Sequence, residues 1–333
     1  MIKAIALISG GLDSILAAVC IKKQQVKVEG VFFNHPFLTR PNKKSSPENM
    51  ARYLAEQQDI ELKIINLGEE FLDIVFKPKF GYGKRMNPCI DCKILMLKKA
   101  KEIMEKEKAS FLICGDVVAQ RPMSQHRQTL KIIEKEANVE GILLRPLSAH
   151  LLEPTVAEEK GWIDRQKLYA FSGRSRTFQR DLAVMLNVLD YPNASGGCLL
   201  TDITFSRRLR DLINRQCYNS TNVELLKVGR HFRLSNLVKC VVGRNQLENL
   251  EIERLASTDD YLCYPEEDIP GPTALLQGQA SYRDIELACS IVASYCDKIE
   301  STPTILVRKV SSGQIKKYEV IPLDREQLDT YRI

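Results

Sequence analysis

Short apolar runs alternate with segments of helical period along the first half of the chain. Residues 4–8 form an apolar run with the length of a buried parallel strand, and apolar residues at helical spacing follow from Leu12 to Val19. A second apolar run at 28–33 is again followed by a helical pattern, and the alternation continues to a run at 141–147. Strands that alternate with helices predict an α/β fold with a doubly wound parallel sheet.

From residue 223 onwards the pattern changes to short strands that alternate with two helices. We predict strands at 239–242, 304–310 and 316–321, helices at 246–257 and 282–297, and a hairpin turn at 311–313. This pattern indicates a second, smaller α+β domain. The predicted organisation is a first domain at 1–205, a helix and linker at 206–222, and a second domain at 223–333.

The composition changes this picture little. With 44% hydrophobic residues, 27% charged residues and a net charge of +6, the chain resembles ordinary globular proteins and only weakly favours an acidic partner. No apolar run approaches the roughly 18 residues of a membrane helix, and the start has no signal-peptide pattern. We therefore expect a cytoplasmic protein with no membrane contact. Ten cysteines are many for such a protein, because disulfides are rare in the cytosol.

The first strand ends in a turn that has the features of an anion site. Ser9, Gly10 and Gly11 close the strand, and a helix with Asp13 and Ser14 in its first turn opens at once. Backbone N–H groups converge in such a turn, the helix dipole adds positive charge, and glycine allows close approach of a phosphate. No Gly-Lys-Ser/Thr follows, which excludes a Walker A loop. The alternative is an ordinary strand-turn-helix.

Polar residues after another predicted strand are expected near the same turn. Parallel strands bring their carboxyl ends to one edge of the sheet, and ligands bind in the crevice there. The run 111–114 ends in such a polar segment. We expect nucleotide, metal or phosphate contacts from its residues, with turn capping as the alternative. The candidates are Gly115, Asp116, Gln120 and Arg121.

Basic residues concentrate at three places in the chain: a glycine-containing loop, a turn between two predicted helices, and a later helix. The turn lies in the cationic stretch 153–189, which we expect to be helical. Such clusters predict contacts with nucleic-acid phosphates, and solvated basic turns are the alternative. The candidates are Lys84, Arg85, Arg174, Arg176, Arg207 and Arg208.

Three of the cysteines have polar or glycine-rich surroundings. Cys89 and Cys92 flank the start of a predicted helix, where the dipole and nearby basic residues such as Lys93 are expected to favour thiolates. Cys198 ends the glycine-rich loop 191–198. Cys-x-x-Cys alone is a weak signal, shared by redox pairs, zinc sites and clusters. Five cysteines in apolar or small-residue contexts we interpret as buried: Cys20, Cys114, Cys240, Cys289 and Cys296.

The segment Ser-Gly-Gly-Leu-Asp-Ser at 9–14 resembles the PP-loop of ATP pyrophosphatases, which cleave ATP between the α and β phosphates and adenylate a substrate. The resemblance implies an adenine nucleotide alpha hydrolase-like fold with ATP and Mg²⁺ at the loop. It also implies that adenine lies at the end of the second strand, at Phe33 and Asn34.

The cysteine pattern resembles that of tRNA thiolases. Asn-Pro-x-x-x-Cys followed by Gly-Gly-Cys-Leu-Leu-Thr-Asp-x-x-Phe is similar to tRNA 2-thiouridine synthases of the MnmA type, which implies that Cys92 and Cys198 carry the sulfur chemistry. The additional Cys89 makes a close pair plus a remote cysteine, which resembles cluster-dependent thiolases of the TtcA and TtuA type. That resemblance implies a [4Fe–4S] cluster on Cys89, Cys92 and Cys198, with one iron left open.

The second domain resembles the small RNA-binding domain of NFACT-type proteins. The likeness rests on Val-Gly-Arg-His-Phe at 228–232, Val-Gly-Arg-Asn at 242–245, Asn249, Asp260 and Pro-Gly-Pro at 270–272. It implies affinity for RNA without chemistry of its own. A structural appendage or a dimerisation domain is the alternative.

Together the resemblances imply ATP-dependent tRNA thiolation, in which a uracil carbonyl is adenylated and sulfur then replaces the oxygen. Asp13, Cys92 and Cys198 are the expected catalytic residues, with tRNA and a sulfur donor (sulfide or a persulfide carrier) as partners. A Cys92/Cys198 persulfide route without a cluster, zinc at the cysteines, a PP-loop ligase or amidating enzyme with another acceptor, and a non-enzymatic nucleotide-binding RNA factor are the alternatives. Oligomerisation and the thiolated nucleotide are left open.

Overall fold

The computed structural model describes residues 2–38, 46–192, 198–297 and 302–333. Backbone contacts divide the chain into two compact units, unit 1 at Met1–Asp202 and unit 2 at Ile203–Ile333. The helices of the segment 206–222, which the sequence analysis treated as a connection, lie in unit 2.

Unit 1 is built on a five-stranded sheet in which all strands are parallel. The strand order β3-β2-β1-β4-β5 reverses direction at β1, so β1 and β4 flank the point where the connections diverge. This confirms the predicted doubly wound α/β fold, and a ligand crevice is expected at the carboxyl ends of β1 and β4. The strands are β1 Lys3–Leu7, β2 Lys27–Asn34, β3 Glu61–Asn66, β4 Phe111–Ile113 and β5 Leu143–Leu144.

Helices cover both faces of this sheet, and the first is the most deeply buried. Nearly every side chain of α1 is inside the core, because α1 is covered by the sheet and by α7. The helices are α1 Leu12–Lys22, α2 Pro47–Gln57, α3 Gly68–Phe76, α4 Cys89–Lys106, α5 Arg127–Ala137, α6 Val156–Glu159 and α7 Thr177–Met185. Short 3₁₀ turns lie at Ala149–Leu151, Arg165–Lys167 and Leu199–Thr201.

The stretch 153–189 is only partly helical, and the prediction of a largely helical segment is wrong. Between the turn at Arg165–Lys167 and α7 the backbone is extended. The N–H of Tyr169 donates to the carbonyl of Pro146 at 3.0 Å, and that of Phe171 to the carbonyl of Leu147 at 2.8 Å. These bonds to the segment after β5 satisfy the backbone groups that a helix would have used.

Unit 2 is a six-stranded antiparallel sheet with helices, in the order β11-β10-β8-β9-β7-β6. The predicted hairpin between the last two strands is confirmed. The strands are β6 Arg230–Arg233, β7 Lys239–Val242, β8 Tyr261–Pro265, β9 Ala274–Gln277, β10 Thr304–Lys309 and β11 Ile315–Glu319. The helices are α8 Ile203–Asn214, α9 Ser220–Leu225, α10 Gln246–Arg254, α11 Tyr282–Ala293 and α12 Arg325–Tyr331.

Three strands of unit 2 were not predicted from the sequence, namely β6, β8 and β9. The central strands are covered on both faces: Cys240 and Cys263 face one core cluster, whereas Val241 and Leu262 face another. Strands buried on both faces are apolar throughout instead of alternating, so strands of four or five residues leave no readable period. Within the described residues, every helix is too short or too polar to cross a membrane.

Candidate functional site

A cavity of about 440 Å³ opens at the carboxyl edge of the unit 1 sheet. Its size is that of an ordinary small-molecule site. The cavity brings together residues that are far apart in sequence, from the turn after β1, the end of β2, the start of α4 and the segment after β4. The predicted residues that line it are Ser9, Gly10, Gly11, Asp13, Ser14, Phe33, Cys89, Cys92, Gly115, Asp116, Arg121, Arg176 and Cys198.

Three hydrogen bonds hold the turn between β1 and α1 in shape. The Ser14 hydroxyl donates to the carbonyl of Gly11 at 2.8 Å and accepts from the backbone N–H of Ser9 at 3.1 Å, and the two serine hydroxyls lie 3.2 Å apart. Gly10 has a φ of +76°, and a Cβ there would lie 2.3 Å from the carbonyl oxygen of Pro47. Only glycine fits that position, whereas a Cβ on Gly11 would meet nothing closer than 3.6 Å.

Gly115 allows the end of β4 to lie directly against this turn. A Cβ at Gly115 would lie 2.4 Å from the carbonyl oxygen of Asp13 and 2.5 Å from the backbone nitrogen of Ser14. The strand and the turn could not approach so closely with any other residue. Gly115 therefore positions the backbone of the turn, in addition to lining the cavity.

Asp13 has one carboxylate oxygen engaged and one free. Oδ2 accepts from Gln120 Nε2 at 2.9 Å and from Arg176 Nη2 at 3.2 Å. Oδ1 is buried and has no hydrogen-bond partner in the described part of the chain. A carboxylate oxygen without a partner beside an anion site is a donor that suits Mg²⁺. Arg176, which the sequence analysis assigned to nucleic acid, thus lies at the turn.

A charged network stands behind the cavity wall. Lys93 forms an ion pair with Asp116, whose Oδ1 also accepts from Gln125 Nε2 at 2.8 Å. Burial would raise the pKa of Asp116, but the positive charges of Lys93 and Arg145 and these hydrogen bonds lower it well below its usual value. Buried Arg145 is itself paired with Glu134. Asp116 is therefore a carboxylate that holds the Lys93 ammonium at the cavity.

The three cysteines of the predicted site line the same cavity. Cys89 is the first residue of α4 and Cys92 lies one turn further along. Cys198 precedes the 3₁₀ turn and pairs with Leu38 in an isolated antiparallel bridge. A Cβ on Gly83 would lie only 3.5 Å from Cys89 Sγ, so the loop before α4 passes close to that thiol. Residues 193–197, which include the two glycines before Cys198, lie outside the described residues.

The expectation that the helix start favours thiolates at Cys89 and Cys92 is opposed by their burial, which raises the pKa of both. Burial raises the pKa of Cys89, of Cys92 and, to about 11, of Cys198, and outweighs the favourable charges of Arg121 and Lys93. Cys198 and Cys89 raise the pKa of Cys92 further, which requires the three sulfurs to be near one another. No group of three or more His, Cys, Asp or Glu side chains among the described residues is arranged to hold a metal ion.

The end of β2 contributes one of its two predicted residues. Phe33 lines the cavity, whereas the Asn34 amide is turned away and donates to Asn66 Oδ1 at 2.9 Å. Apolar residues that the sequence analysis did not identify complete this side of the cavity, including Met50 on α2. His35 also lines it and stacks on Phe71 with ring centroids 3.9 Å apart. No local pattern marks these residues, because they reach the cavity only through the sheet order.

The predicted basic residues are distributed over different environments. Lys84 and Arg85 are exposed in the turn before α4, and Arg174 is exposed before α7. In unit 2, Arg207 is exposed, but Arg208 donates to the backbone carbonyls of Leu226 at 3.0 Å and Gly229 at 3.2 Å. Arg208 therefore stabilises the fold of unit 2 through its guanidinium.

Comparison with known families agrees with both resemblances that the sequence suggests. Residues 2–153 match the family described as Thiamine biosynthesis protein (ThiI), and residues 229–332 match the family described as NFACT protein RNA binding domain. A probable tRNA sulfurtransferase of Thermoanaerobacter sp. (strain X514) is 32% identical over 148 residues, which are 44% of this chain and 36% of the relative. A tRNA-specific 2-thiouridylase MnmA of Sulfurimonas denitrificans is 32% identical over 114 residues, or 33% and 31% of the two chains.

The chain thus spans about a third of the length of the curated relatives it matches. Among solved structures, it is similar to a 4-thiouridine synthetase–RNA complex with bound ATP, at 22% identity and a TM-score of 0.36, over 56% of this chain and 52% of that one. It is also similar to the U34-tRNA thiolase NcsA from Methanococcus maripaludis with its [4Fe-4S] cluster, at 19% identity and a TM-score of 0.36, over 68% and 73%.

Proposed function

We propose, from the ThiI-type domain at residues 2–153 and the NFACT-type RNA-binding domain at residues 229–332, that this protein is an ATP-dependent tRNA sulfurtransferase. One observation carries the proposal: the anion-binding turn and three cysteine thiols line the same cavity. A nucleotide site alone would suit many ligases. A nucleotide site that shares a cavity with three thiols suits an enzyme that activates an acceptor and then delivers sulfur to it.

ATP binds with its phosphates at the N–H groups of the turn 9–14 and the first turn of α1. Mg²⁺ suits the free Oδ1 of Asp13, and it would neutralise phosphate charge there. Adenine occupies the apolar side of the cavity at Phe33 and Met50. Lys93, held by Asp116, supplies a fixed positive charge on the opposite side.

The uracil oxygen of the tRNA attacks the α-phosphorus of ATP, pyrophosphate leaves, and the oxygen becomes part of an adenylate. Negative charge that develops on the phosphates is stabilised by the backbone N–H groups of the turn and by Lys93, Arg121 and Arg176. These groups are already in place, so little reorganisation accompanies the reaction. The base must leave its stack to reach the cavity, which costs a few kcal/mol that RNA contacts elsewhere offset.

Sulfur then displaces AMP, and the cysteines bring it to the activated carbon. Three thiols at one cavity match in number the ligands of a [4Fe–4S] cluster with one open iron, although the described side chains are not arranged around a metal ion. Cys89, Cys92 and Cys198 would hold such a cluster once drawn together, and it would supply an iron open to hydrosulfide. Burial raises the pKa of Cys92 and Cys198, and a thiophilic metal or a persulfide would supply reactive sulfur without a free thiolate. In the persulfide alternative Cys198 carries the sulfur, and Cys92 resolves it as a disulfide that a reductant reopens.

The test uses protein purified without oxygen, as wild type and as Cys89→Ala. Pyrophosphate release and thionucleoside formation are measured with bulk tRNA, ATP and sulfide, together with iron and acid-labile sulfide content. About four irons per chain that are lost in the variant support the cluster. Iron-free protein that thiolates when a persulfide donor replaces sulfide, and does not thiolate with sulfide itself, supports the persulfide route. Pyrophosphate release without a thionucleoside indicates a ligase with another acceptor, and the absence of both overturns the proposal.

A further inference from the structure

We infer that the ring of Phe178, two residues after the cavity-lining Arg176, is a stacking platform for an unpaired base of the bound RNA. The inference rests on the proposed function, because it takes tRNA as the ligand, and it adds a recognition surface on unit 1. Phe178 is in the first turn of α7 and is 61% exposed, which is unusual for a phenylalanine.

The ring is exposed but held in a fixed orientation. It stacks on Phe171, with ring centroids 5.7 Å apart and planes inclined by 17°. Phe171 in turn packs on Tyr169, with centroids 4.9 Å apart. Both supporting rings belong to the extended segment that is hydrogen-bonded to residues 146 and 147. A supported ring loses little freedom on binding, which favours its use as a contact surface.

Phe178 is close in the sequence to a residue that lines the cavity. Arg176, two residues before Phe178, lines the cavity and donates to Asp13. The segment before it is fixed by a hydrogen bond of 2.9 Å from the N–H of Gly173 to the carbonyl of Val118, in the segment that also carries Gln120. A base neighbouring the one that enters the cavity can therefore reach Phe178.

The charge around the ring favours nucleic acid over an apolar protein surface. Exposed Arg174 and Arg180 lie on either side of Phe178 in the sequence, and neither forms an ion pair within the described residues. The segment 171–189 has three arginines against one aspartate. Aromatic rings interleaved with basic side chains are typical of sites for unpaired nucleotides. An enzyme that acts on a base must unstack it, which leaves a neighbouring base in need of a partner.

The first test measures tRNA binding to the full chain. Phe178→Ala is expected to weaken binding about tenfold, since stacking on one aromatic ring is worth about that much. Phe178→Tyr should bind as the wild type does, and Phe178→Leu, which keeps the packing on Phe171 but has no ring, should behave as Phe178→Ala. The matched control is Val184→Ala, an exposed apolar residue on another face of α7. It should leave binding unchanged.

The salt dependence of binding and tryptophan fluorescence test whether the loss of tRNA affinity in Phe178→Ala comes from stacking or from charge. The loss in Phe178→Ala should persist at high salt, whereas Arg174→Ala should lower the salt slope by about one. Phe178→Trp should be quenched when tRNA binds, with Trp162, the one native tryptophan, as the reference signal in the wild type. At saturating tRNA, Phe178→Ala should keep kcat within about twofold and show the loss in KM.

Unchanged tRNA affinity in Phe178→Ala, or no quenching in Phe178→Trp, would overturn the platform. A dimer of this chain that Phe178→Ala converts to a monomer without loss of RNA affinity would assign the ring to a contact between copies instead. Wild-type protein that binds tRNA through Phe178 but forms no thionucleoside would overturn the proposed function and leave the platform intact. The two failures are therefore distinguishable.

Discussion

Each unit of this protein gathers three cysteines, and the two sets have opposite surroundings. In unit 1, Cys89, Cys92 and Cys198 are partly exposed and line the cavity beside the turn at 9–14. In unit 2, a second set on β7, β8 and α11 has no solvent exposure and packs in an apolar core. The members of the second set are Cys240, Cys263 and Cys289.

The contrast shows that three thiols can lie close together without having a chemical function. The Cys289 thiol is hydrogen-bonded to Cys263, and this bond together with burial raises the pKa of Cys289 far above its usual value. These cysteines pack in the apolar core of unit 2 and behave there as small apolar residues. The first set differs in access and in neighbouring charges, Lys93 and Arg121. A reactive thiol site therefore needs a route to solvent and electrostatic partners, in addition to neighbouring sulfurs.

The largest expected effect comes from removing one cysteine of each set. Cys198→Ala is expected to reduce thionucleoside formation at least about 1000-fold, as removal of a covalent or ligand group does. Cys289→Ala should keep activity within about twofold and cost about 1–2 kcal/mol of stability. Thionucleosides are measured after tRNA digestion, and stability by denaturant unfolding. Residual thiolation in Cys198→Ala would contradict the comparison, because neither set of cysteines would then take part in the reaction.

Alkylation rates test the same difference between the two sets of cysteines without mutation. In folded, metal-free protein, Cys89 and Cys198 should react with iodoacetamide about 100-fold faster than the core set, because the core thiols react only after local opening of unit 2. ATP with Mg²⁺ should slow the reaction of the cavity thiols only. Peptide mass spectrometry over time gives each rate. Exposed Cys217 serves as the fast reference, and equal rates in the two sets would contradict the assignment.

Unit 2 also buries an amine, and its removal tests whether that core has any ligand role. Burial lowers the pKa of Lys239 to about 7, although Asp211 acts in the opposite direction. The unfolded chain then binds more protons between about pH 7 and 10.5, so stability rises with pH in that window. Lys239→Met should stabilise unit 2 by about 1–4 kcal/mol at pH 7 and remove this rise.

Hydrogen exchange of the β6–β7 amides measures the stabilisation by Lys239→Met, and tRNA binding is the control. Unchanged tRNA affinity with slower exchange is the expected result. A variant that folds normally but loses tRNA affinity would show that Lys239 contacts RNA. That outcome would make the second core functional.

The smallest effect concerns His231 in β6. Burial and the charges of Lys239 and Arg208 lower its pKa well below the usual value, and its Nε2 donates to the carbonyl of Val228 at 2.8 Å. Below about pH 6.5 the unfolded chain takes a proton that the folded chain refuses, so stability falls with falling pH by about 1.4 kcal/mol per unit. His231→Gln should flatten this slope in hydrogen exchange between pH 6.5 and 5. An unaltered slope would assign the dependence to other groups.

The sequence alone was sufficient where function depends on consecutive residues. The turn at 9–14 was identified because a strand, two glycines and a helix start follow one another, and local backbone geometry makes that order an anion site. The burial of Cys20, Cys114, Cys240 and Cys289 was also predicted correctly from apolar contexts. Cys296 is only partly buried and differs from that interpretation.

Contacts between residues that are far apart in the sequence were determined only by the tertiary structure. Arg176 was assigned from its basic neighbours to nucleic acid, yet it pairs with Asp13, 163 positions earlier. Asn34 was expected at adenine, but its amide bonds to Asn66 on the adjacent strand. The strands β8 and β9 escaped detection because both faces are buried and leave no alternation, and β6 because its four residues, Arg-His-Phe-Arg, show no apolar run. Local sequence encodes turns and periods, whereas the parallel strand order, which no local pattern encodes, determines which side chains share a cavity and which thiols reach solvent.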